Sequence, residues 1–330
     1  MADTFKGLLL EERDGAVNAS IQELDRNRLP EGDVLVRVTY SGLNYKDALA
    51  LAGKNKVVRS YPMVPGIDFA GTVEESQSPQ FKAGDRVILT GWGVGERHWG
   101  GYAQYARVKG EWLVPAPAHL DLKHAMAIGT AGVTAMLSIV ALEEHGMKPE
   151  GNEVVVTGAT GGVGSMAVAM LARLGYRVVA ETGKTDKADY LKELGAHEVM
   201  DRAALAPSGG PMGSARWAGA VDTVGGDMLA GVLRTLAYGA SVAACGNAGG
   251  FELHTTVLPF ILRGVNLLGI DSLPVPQARR MMVWERIMRD LPASAIERTM
   301  KVAPLGEARA LADEVLASRT SGHIVVDVNA

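Results

Sequence analysis

The sequence predicts an α/β protein of two domains, one mainly β and one built on a doubly wound parallel sheet. Three observations carry this. The chain has 330 residues, more than one core usually fills. Its first third reads as short apolar or alternating segments broken by Gly and Pro. From about Ala125 the texture changes to strands and helices in alternation, with a glycine-rich turn at 157–164.

Taken in order, the β part contains Val34–Tyr40, Gly71–Val73 and Arg86–Leu89, the last after Lys82-Ala83-Gly84-Asp85. A long apolar helical stretch then runs from Ala125 through Met126, Ile128, Met136, Leu137, Ile139 and Leu142, closing near Gly146 and Pro149. The strand Glu153–Thr157 leads into the glycine-rich turn, and a helix follows from about Ser165 to Leu174, stopped by Gly175. Next come the strand Tyr176–Ala180 and a helix from Lys187 to Leu194. Further strands are expected at Ala220–Thr223, Ser241–Ala244 and Asn266–Ile270, the last preceded by a helix at Leu258–Leu262. Apolar strands separated by helices imply a parallel sheet covered on both faces. Helices at Gln277–Arg289 and Leu305–Leu316 and a strand at Gly322–Val328 complete the chain.

Composition narrows the function classes. The chain is 47% hydrophobic and 21% charged with a formal net charge of -4, and its 33 basic and 37 acidic residues are interspersed. No basic block marks a nucleic-acid or membrane surface, so any bound anion is small and held locally. Cys245 is the sole cysteine, which excludes an internal disulfide and any zinc site of several thiolates, and fits a reducing cytoplasm. The opening six residues have no long apolar core, and no run approaches the roughly 18 uninterrupted apolar residues of a membrane helix. The expectation is a soluble, cytoplasmic protein.

The turn Thr157-Gly158-Ala159-Thr160-Gly161-Gly162-Val163-Gly164 joins a strand to a helix, the setting that a dinucleotide site requires. Ala159, Gly161 and Gly164 fill the three small positions of a G-x-G-x-x-G pattern. Small residues there allow a tight turn, close approach of backbone to a pyrophosphate and close helix packing, while the helix N-terminus presents unpaired N–H groups. An acid about 20 residues on would bind the ribose 2′-OH of NAD, and Glu181 has that spacing. The following Thr182-Gly183-Lys184 instead offers a hydroxyl, an amide and a cation suited to a 2′-phosphate, with Arg202 as a second cation after the next short strand.

Several segments together resemble the zinc-independent medium-chain dehydrogenase/reductase superfamily: Ser41-Gly42-Leu43-Asn44-Tyr45-Lys46-Asp47, Pro65-Gly66-Ile67-Asp68-Phe69-Ala70-Gly71, Gly91-Trp92-Gly93-Val94-Gly95, Gly129-Thr130-Ala131-Gly132 and the 157–164 turn. Leu89–Glu96, His98-Trp99-Gly100-Gly101 and Ala243-Ala244-Cys245-Gly246 narrow this to the acrylyl-CoA reductase branch. The resemblance runs nearly end to end. It implies a GroES-like catalytic domain at 1–125 and 273–330, a Rossmann NADPH-binding domain at 126–272, and a homodimer built on the cofactor domains. It implies no metal, because Ile67-Asp68 stands where zinc-dependent relatives carry His then Glu. Counted from Leu194-Gly195-Ala196, the position acidic in NAD-dependent relatives falls on Thr182, so the resemblance selects NADPH. It also implies that Tyr45 lies near the nicotinamide, Thr160, Gly161, Gly162 and Val163 on the pyrophosphate, and Thr182, Gly183, Lys184 and Arg202 on the 2′-phosphate ribose. Asn247, Ile261, Ser272 and Asn329 complete the nicotinamide side.

The activity so implied is reduction of acrylyl-CoA to propanoyl-CoA, with hydride delivered to the β-carbon of the unsaturated thioester. Two alternatives stand beside it: a quinone or enone oxidoreductase of the same superfamily, and a non-catalytic NADPH-binding protein. Tyr45 is the first candidate for orienting substrate or relaying a proton; its ring could instead pack on the nicotinamide. Asp68 is either a cleft acid or a structural carboxylate bonded to backbone amides. Lys54, Lys56, Arg59 and Arg263 are cations available to coenzyme A phosphates or to solvent.

Overall fold

The computed structural model describes residues 4–151, 153–205 and 210–330; Met1 to Asp3, the head of the opening stretch, lie outside it. The chain divides into two compact units. One takes in the chain up to Thr130, Leu273–Met281 and Thr299–Ala330; the other holds Ala131–Ser272 and Met282–Arg298.

The first unit opens with a hairpin, β1 (Thr4–Arg13) and β2 (Ala16–Asp25). Its turn residues Asp14 and Gly15 have φ of 53° and 77°, the left-handed pair whose twist matches that of the flanking strands. The central strand is β3 (Val34–Leu43), followed by a short helix α1 (Tyr45–Leu51), then β4 (Asp68–Ser76), β5 (Arg86–Thr90), β6 (Tyr105–Val108) and β7 (Val114–Pro115). β4 runs antiparallel along one edge of β3, while β6 pairs with the first half of the other edge, Val34 to Arg37. The core gathers Phe5, Leu10, Val36, Phe69 and Leu89 from the strands and Tyr102 from the bend before β6.

Helix α2 (Leu122–Glu144) is interrupted at Gly129, with φ 46° and ψ -154°. A Cβ there would stand 2.7 Å from Asp68 Oδ2 and 3.1 Å from His323 Cε1, so both backbone conformation and space demand glycine. By length and hydropathy α2 could span a membrane, contrary to the sequence expectation, but its most apolar window is 89% buried, as in a core helix.

The second unit is a strand–helix alternation: β8 (Val154–Val156), α3 (Gly162–Arg173), β9 (Val178–Thr182), α4 (Ala188–Glu193), β10 (Glu198–Asp201), β11 (Trp217–Asp222), α5 (Gly226–Thr235), β12 (Leu236–Ala244), α6 (Leu258–Arg263) and β13 (Asn266–Gly269). The strands are all parallel in the order β10-β9-β8-β11-β12-β13. Such a sheet switches direction between β8 and β11, and ligands bind outside the carboxyl ends of the strands at that point. Val155, Val179, Trp217, Val232 and Val242 form its core.

Helices α7 (Gln277–Asp290) and α8 (Ala293–Thr299) follow. The start of α7 belongs to the first unit, where Arg280 donates to Thr90 Oγ1 at 2.7 Å and Leu273 O at 3.0 Å. Its end belongs to the second, where Arg286 bonds Glu143 and Asp290. By this division residues 282–298 group with the second unit and the earlier crossing follows Thr130, where the sequence reading put the boundaries at 125/126 and 272/273. The chain then returns through β14 (Met300–Pro304), α9 (Ala308–Leu316) and β15 (His323–Asp327); β15 pairs in parallel with β14 and antiparallel with the end of β3.

Candidate active site

The glycine-rich turn occupies the switch point of the second unit. Thr157 Oγ1 donates to Asp222 Oδ1 at 2.7 Å and accepts from Thr223 N, which fixes the carboxyl ends of β8 and β11 side by side. Gly161 precedes α3 as its cap residue and offers no side chain to the helix, so the leading N–H groups of α3 have no side-chain acceptor at the cap. These are donors for a phosphate, helped by the positive end of the helix. Gly164 sets the distance between helix and turn: a Cβ there would stand 2.4 Å from Gly158 O and 2.7 Å from Ala159 Cα. Ser165 Oγ donates to Ala159 O and accepts from Tyr190 OH, closing the turn from behind.

Beside the turn lies a cationic corner. The register Asp201 opposite Thr182 brings the residue after β10 next to the residue after β9. Arg202 therefore stands against Gly183, whose Cβ would lie 3.4 Å from the guanidinium carbon, an ordinary contact. Thr182 Oγ1 lies 3.3 Å from Thr160 Oγ1 and accepts from Lys184 N at 3.0 Å. Thr160, Thr182, Gly183, Lys184 and Arg202 thus form one cluster. Burial holds the Lys184 ammonium below its ordinary value, and Lys187 and Arg202 add to this against the pull of Asp186. An anion placed here would relieve that repulsion.

Glu181, the acid at the NAD-type spacing, is fully buried. It accepts from Gly158 N at 2.8 Å and from Arg202 Nε at 3.4 Å, and burial pushes its carboxyl up. Its oxygens serve the turn itself and are not presented to a ribose. Asn247 and Ser272 follow the carboxyl ends of β12 and β13, on the same edge of the sheet as the turn. Ile261 differs, because it is 68% exposed on the short helix leading into the start of β13. Arg263 is a structural residue: its guanidinium donates to the carbonyls of Gly213, Arg234 and Leu236. The Cys245 thiol donates to Asp222 O at 3.3 Å and is pushed up to about 12 by burial.

In the first unit, Tyr45 opens α1 and is 37% exposed. The residues around it form a buried carboxylate network. Asn44 N donates to Asp47 Oδ2 at 2.9 Å in a capping box, and Asn44 Nδ2 bridges Asp47 Oδ2 at 3.2 Å and Asp68 Oδ2 at 3.1 Å. Asp47 also accepts from Ile67 N, and its carboxyl is pushed up to about 7, first by burial and then by the like charge of Asp68. Asp68 is wholly buried, and its two oxygens accept from Gly42 N, Thr130 N and Asn44 Nδ2. These bonds to two backbone amides and one side-chain amide are those of a carboxylate that holds neighbouring loops in place.

Asn329 sits at the tail of the first unit, with Nδ2 donating to Val38 O and Thr39 O and Oδ1 accepting from Gln104. Its amide ties the tail to β3. Sequence reasoning missed Asn44 and Asp47 as the support of Tyr45; an Asn three residues ahead of an Asp at the start of an apolar helix was the available signal. Among the described residues no group of three or more His, Cys, Asp or Glu is placed to hold a metal ion.

The chain matches the alcohol dehydrogenase GroES-like domain over residues 30–118 and the zinc-binding dehydrogenase family over 162–284. It is 55% identical to the probable acrylyl-CoA reductase AcuI of Escherichia coli over 98% of this chain and all of that one. It is 53% identical to the acrylyl-CoA reductase AcuI of Ruegeria pomeroyi over 99% of this chain and all of the relative, and 46% identical to the putative quinone oxidoreductase YhfP of Bacillus subtilis over 99% of each. Among solved structures, Escherichia coli YhdH with bound NADPH has a TM-score of 0.96 at 55% identity, covering 98% of this chain and 100% of that one. Bacillus subtilis YhfP with NAD bound has a TM-score of 0.94 at 46% identity, covering 99% and 100%.

Proposed function

The chain belongs to the acrylyl-CoA reductase branch of the zinc-independent medium-chain dehydrogenase/reductase superfamily, and on that premise we propose that it reduces acrylyl-CoA to propanoyl-CoA with NADPH as reductant. The observation that carries the substrate is the near end-to-end likeness to acrylyl-CoA reductases at 53–55% identity. The cofactor choice is supported by the corner at Thr182, Gly183, Lys184 and Arg202, with Glu181 withdrawn into the turn.

NADPH, when bound, supplies the hydride for the β-carbon of the thioester. The chain's own part is placement and charge. The N-terminus of α3 with Thr160, Gly161, Gly162 and Val163 holds the pyrophosphate, Lys184 and Arg202 neutralise the 2′-phosphate, and Asn247, Ile261, Ser272 and Asn329 are assigned to the nicotinamide side. As the β-carbon gains hydride, negative charge develops on the thioester oxygen, and a donor aimed there lowers the barrier. We assign that role, or relay of the proton to the α-carbon, to the hydroxyl of Tyr45, the first residue of α1, whose start is fixed by the Asn44–Asp47 capping box. Asp68 is assigned a positioning part, through its bonds to Asn44 Nδ2, Gly42 N and Thr130 N.

The reading includes a cytoplasmic homodimer. Its support is β13, an outer strand of the parallel sheet with Leu267 exposed, near sequence neighbours Ile261 and Leu262 that are also exposed. The quinone oxidoreductase reading is favoured by the likeness to YhfP. Oxidation of NADPH is to be followed with acrylyl-CoA, crotonyl-CoA and a simple quinone, each repeated with NADH. Turnover of the three-carbon thioester with NADPH supports the proposal; turnover of quinone alone overturns the substrate.

A further inference from the structure

We propose that the loop following α1, together with the turn at 93–97, binds the phosphates of the nucleotide end of the coenzyme A thioester. This rests on the reading of the substrate above.

The chain has no acidic residue between Asp47 and Asp68, yet carries Lys54, Lys56 and Arg59 there, all exposed. Arg59 N donates to Glu96 O at 2.9 Å, which lays this loop against the turn carrying Arg97, also exposed. Glu96 is the one acid of residues 86–110, and its carboxylate is committed to Lys46 Nζ at 3.0 Å. Among the described residues, none of Lys54, Lys56, Arg59 and Arg97 forms an ion pair. On the other flank, a Cβ at Gly53 would stand 2.7 Å from Val17 of β2, with Glu12 opposite Val17 in the hairpin and Asp14 in its turn. Within the loop and the turn themselves, these four cations face no acid left unpaired, which makes a positive patch on a chain whose net charge is -4. Surface charge of this sign concentrates anions locally.

The backbone adds a second observation. Asn55 and Lys56 both have positive φ, 57° and 48°. Two successive non-glycine residues in the left-handed region are strained, Lys more than Asn, and such strain persists where a loop shape is fixed by its surroundings. Here the shape is fixed by Lys54 N donating to Leu49 O and by Arg59 N on Glu96 O. The loop begins two residues after the end of the helix that Tyr45 opens, a seven-residue element about 10 Å long. That separation is within the reach of the flexible pantetheine arm joining thioester to diphosphate. Ammonium groups suit the diphosphate and 3′-phosphate as point charges, and the guanidinium groups add paired donors.

The test is the charge-reversed double variant Lys54→Glu/Lys56→Glu in the full chain, assayed with acrylyl-CoA and with acrylyl-pantetheine, which lacks the phosphates. KM for acrylyl-CoA is expected to rise about tenfold or more, with kcat, KM for NADPH and KM for acrylyl-pantetheine unchanged. Equal shifts for the two thioesters, or no shift for either, overturn the proposal. Calorimetry with adenosine 3′,5′-bisphosphate separates the site from the reaction. Binding by the parent chain that the variant loses supports the loop even if turnover fails, and no binding, or equal binding by both chains, overturns it.

Discussion

Arg202→Ala removes a guanidinium that stands against Gly183 and touches Glu181 through Nε alone at 3.4 Å. The side chain is 55% exposed, so its attraction for a 2′-phosphate is partly screened. Two unit charges 4 Å apart interact by about 1 kcal/mol in water and about 4 kcal/mol at an effective dielectric of 20. A charge-assisted hydrogen bond contributes about 1.5–3 kcal/mol. A loss near 2 kcal/mol is therefore expected, roughly a thirtyfold rise in KM for NADPH. NADH carries no 2′-phosphate, and its KM should move less than about twofold by the same reasoning. Initial rates with each cofactor at saturating acrylyl-CoA give both values, and adding Lys184→Ala should widen the gap. If both cofactors weaken by the same factor, Arg202 supports the turn through Glu181 instead, and the assignment of the 2′-phosphate fails.

Asp47 makes stability depend on pH. Its folded carboxyl titrates at about 7 against an ordinary 3.8, so the folded state holds a proton that the unfolded chain has released. Stability from this group is therefore full below about pH 4 and lost as pH rises to about 7, a span of roughly 4 kcal/mol at most. Asp47→Asn should cost stability at pH 5 and much less at pH 8 in urea unfolding, and a deficit equal at both would refute this. Gly164→Ala places a Cβ 2.4 Å from Gly158 O; NADPH affinity, read by nicotinamide fluorescence, should fall about tenfold or more, and unchanged binding would mean the turn is not the pyrophosphate cradle. Tyr45→Phe should lower kcat about a hundredfold with KM for NADPH nearly unchanged, whereas retained kcat would leave the ring as packing alone.

The second unit was the more legible. Buried parallel strands are continuous apolar runs and their helices end at glycines such as Gly175 and Gly195, so the alternation from Val154 onward is visible without contacts. The first unit hides its edges. β2, Ala16–Asp25, is mostly polar and half exposed, so its pattern is weak; the Asp14-Gly15 pair was the stronger sign of a hairpin. At the cofactor corner the spacing rule pointed to Glu181 and the landmark at Leu194-Gly195-Ala196 to Thr182. Only coordinates reveal that the glutamate's oxygens are turned toward Gly158. The network of Asn44, Asp47 and Asp68 joins residues 24 positions apart, and no local pattern announces that. The split of α7 between units was equally invisible, because Arg280 and Arg286 look alike in sequence and differ only in what they reach.

The use of Glu181 within the turn bears on how cofactor preference can be redesigned. In many nucleotide folds the acid closing the second strand is a surface choice, and exchanging it trades one cofactor for the other. Here that position belongs to the scaffold. Deleting Arg202 and Lys184 would leave an enzyme with little attraction for either dinucleotide's adenosine ribose. Building preference for NADH would require a new acid at Thr182, one residue along, where the hydroxyl already serves Lys184 N. A change of preference toward NADH therefore calls for two alterations at once, loss of the cations at Lys184 and Arg202 and gain of a carboxylate at Thr182.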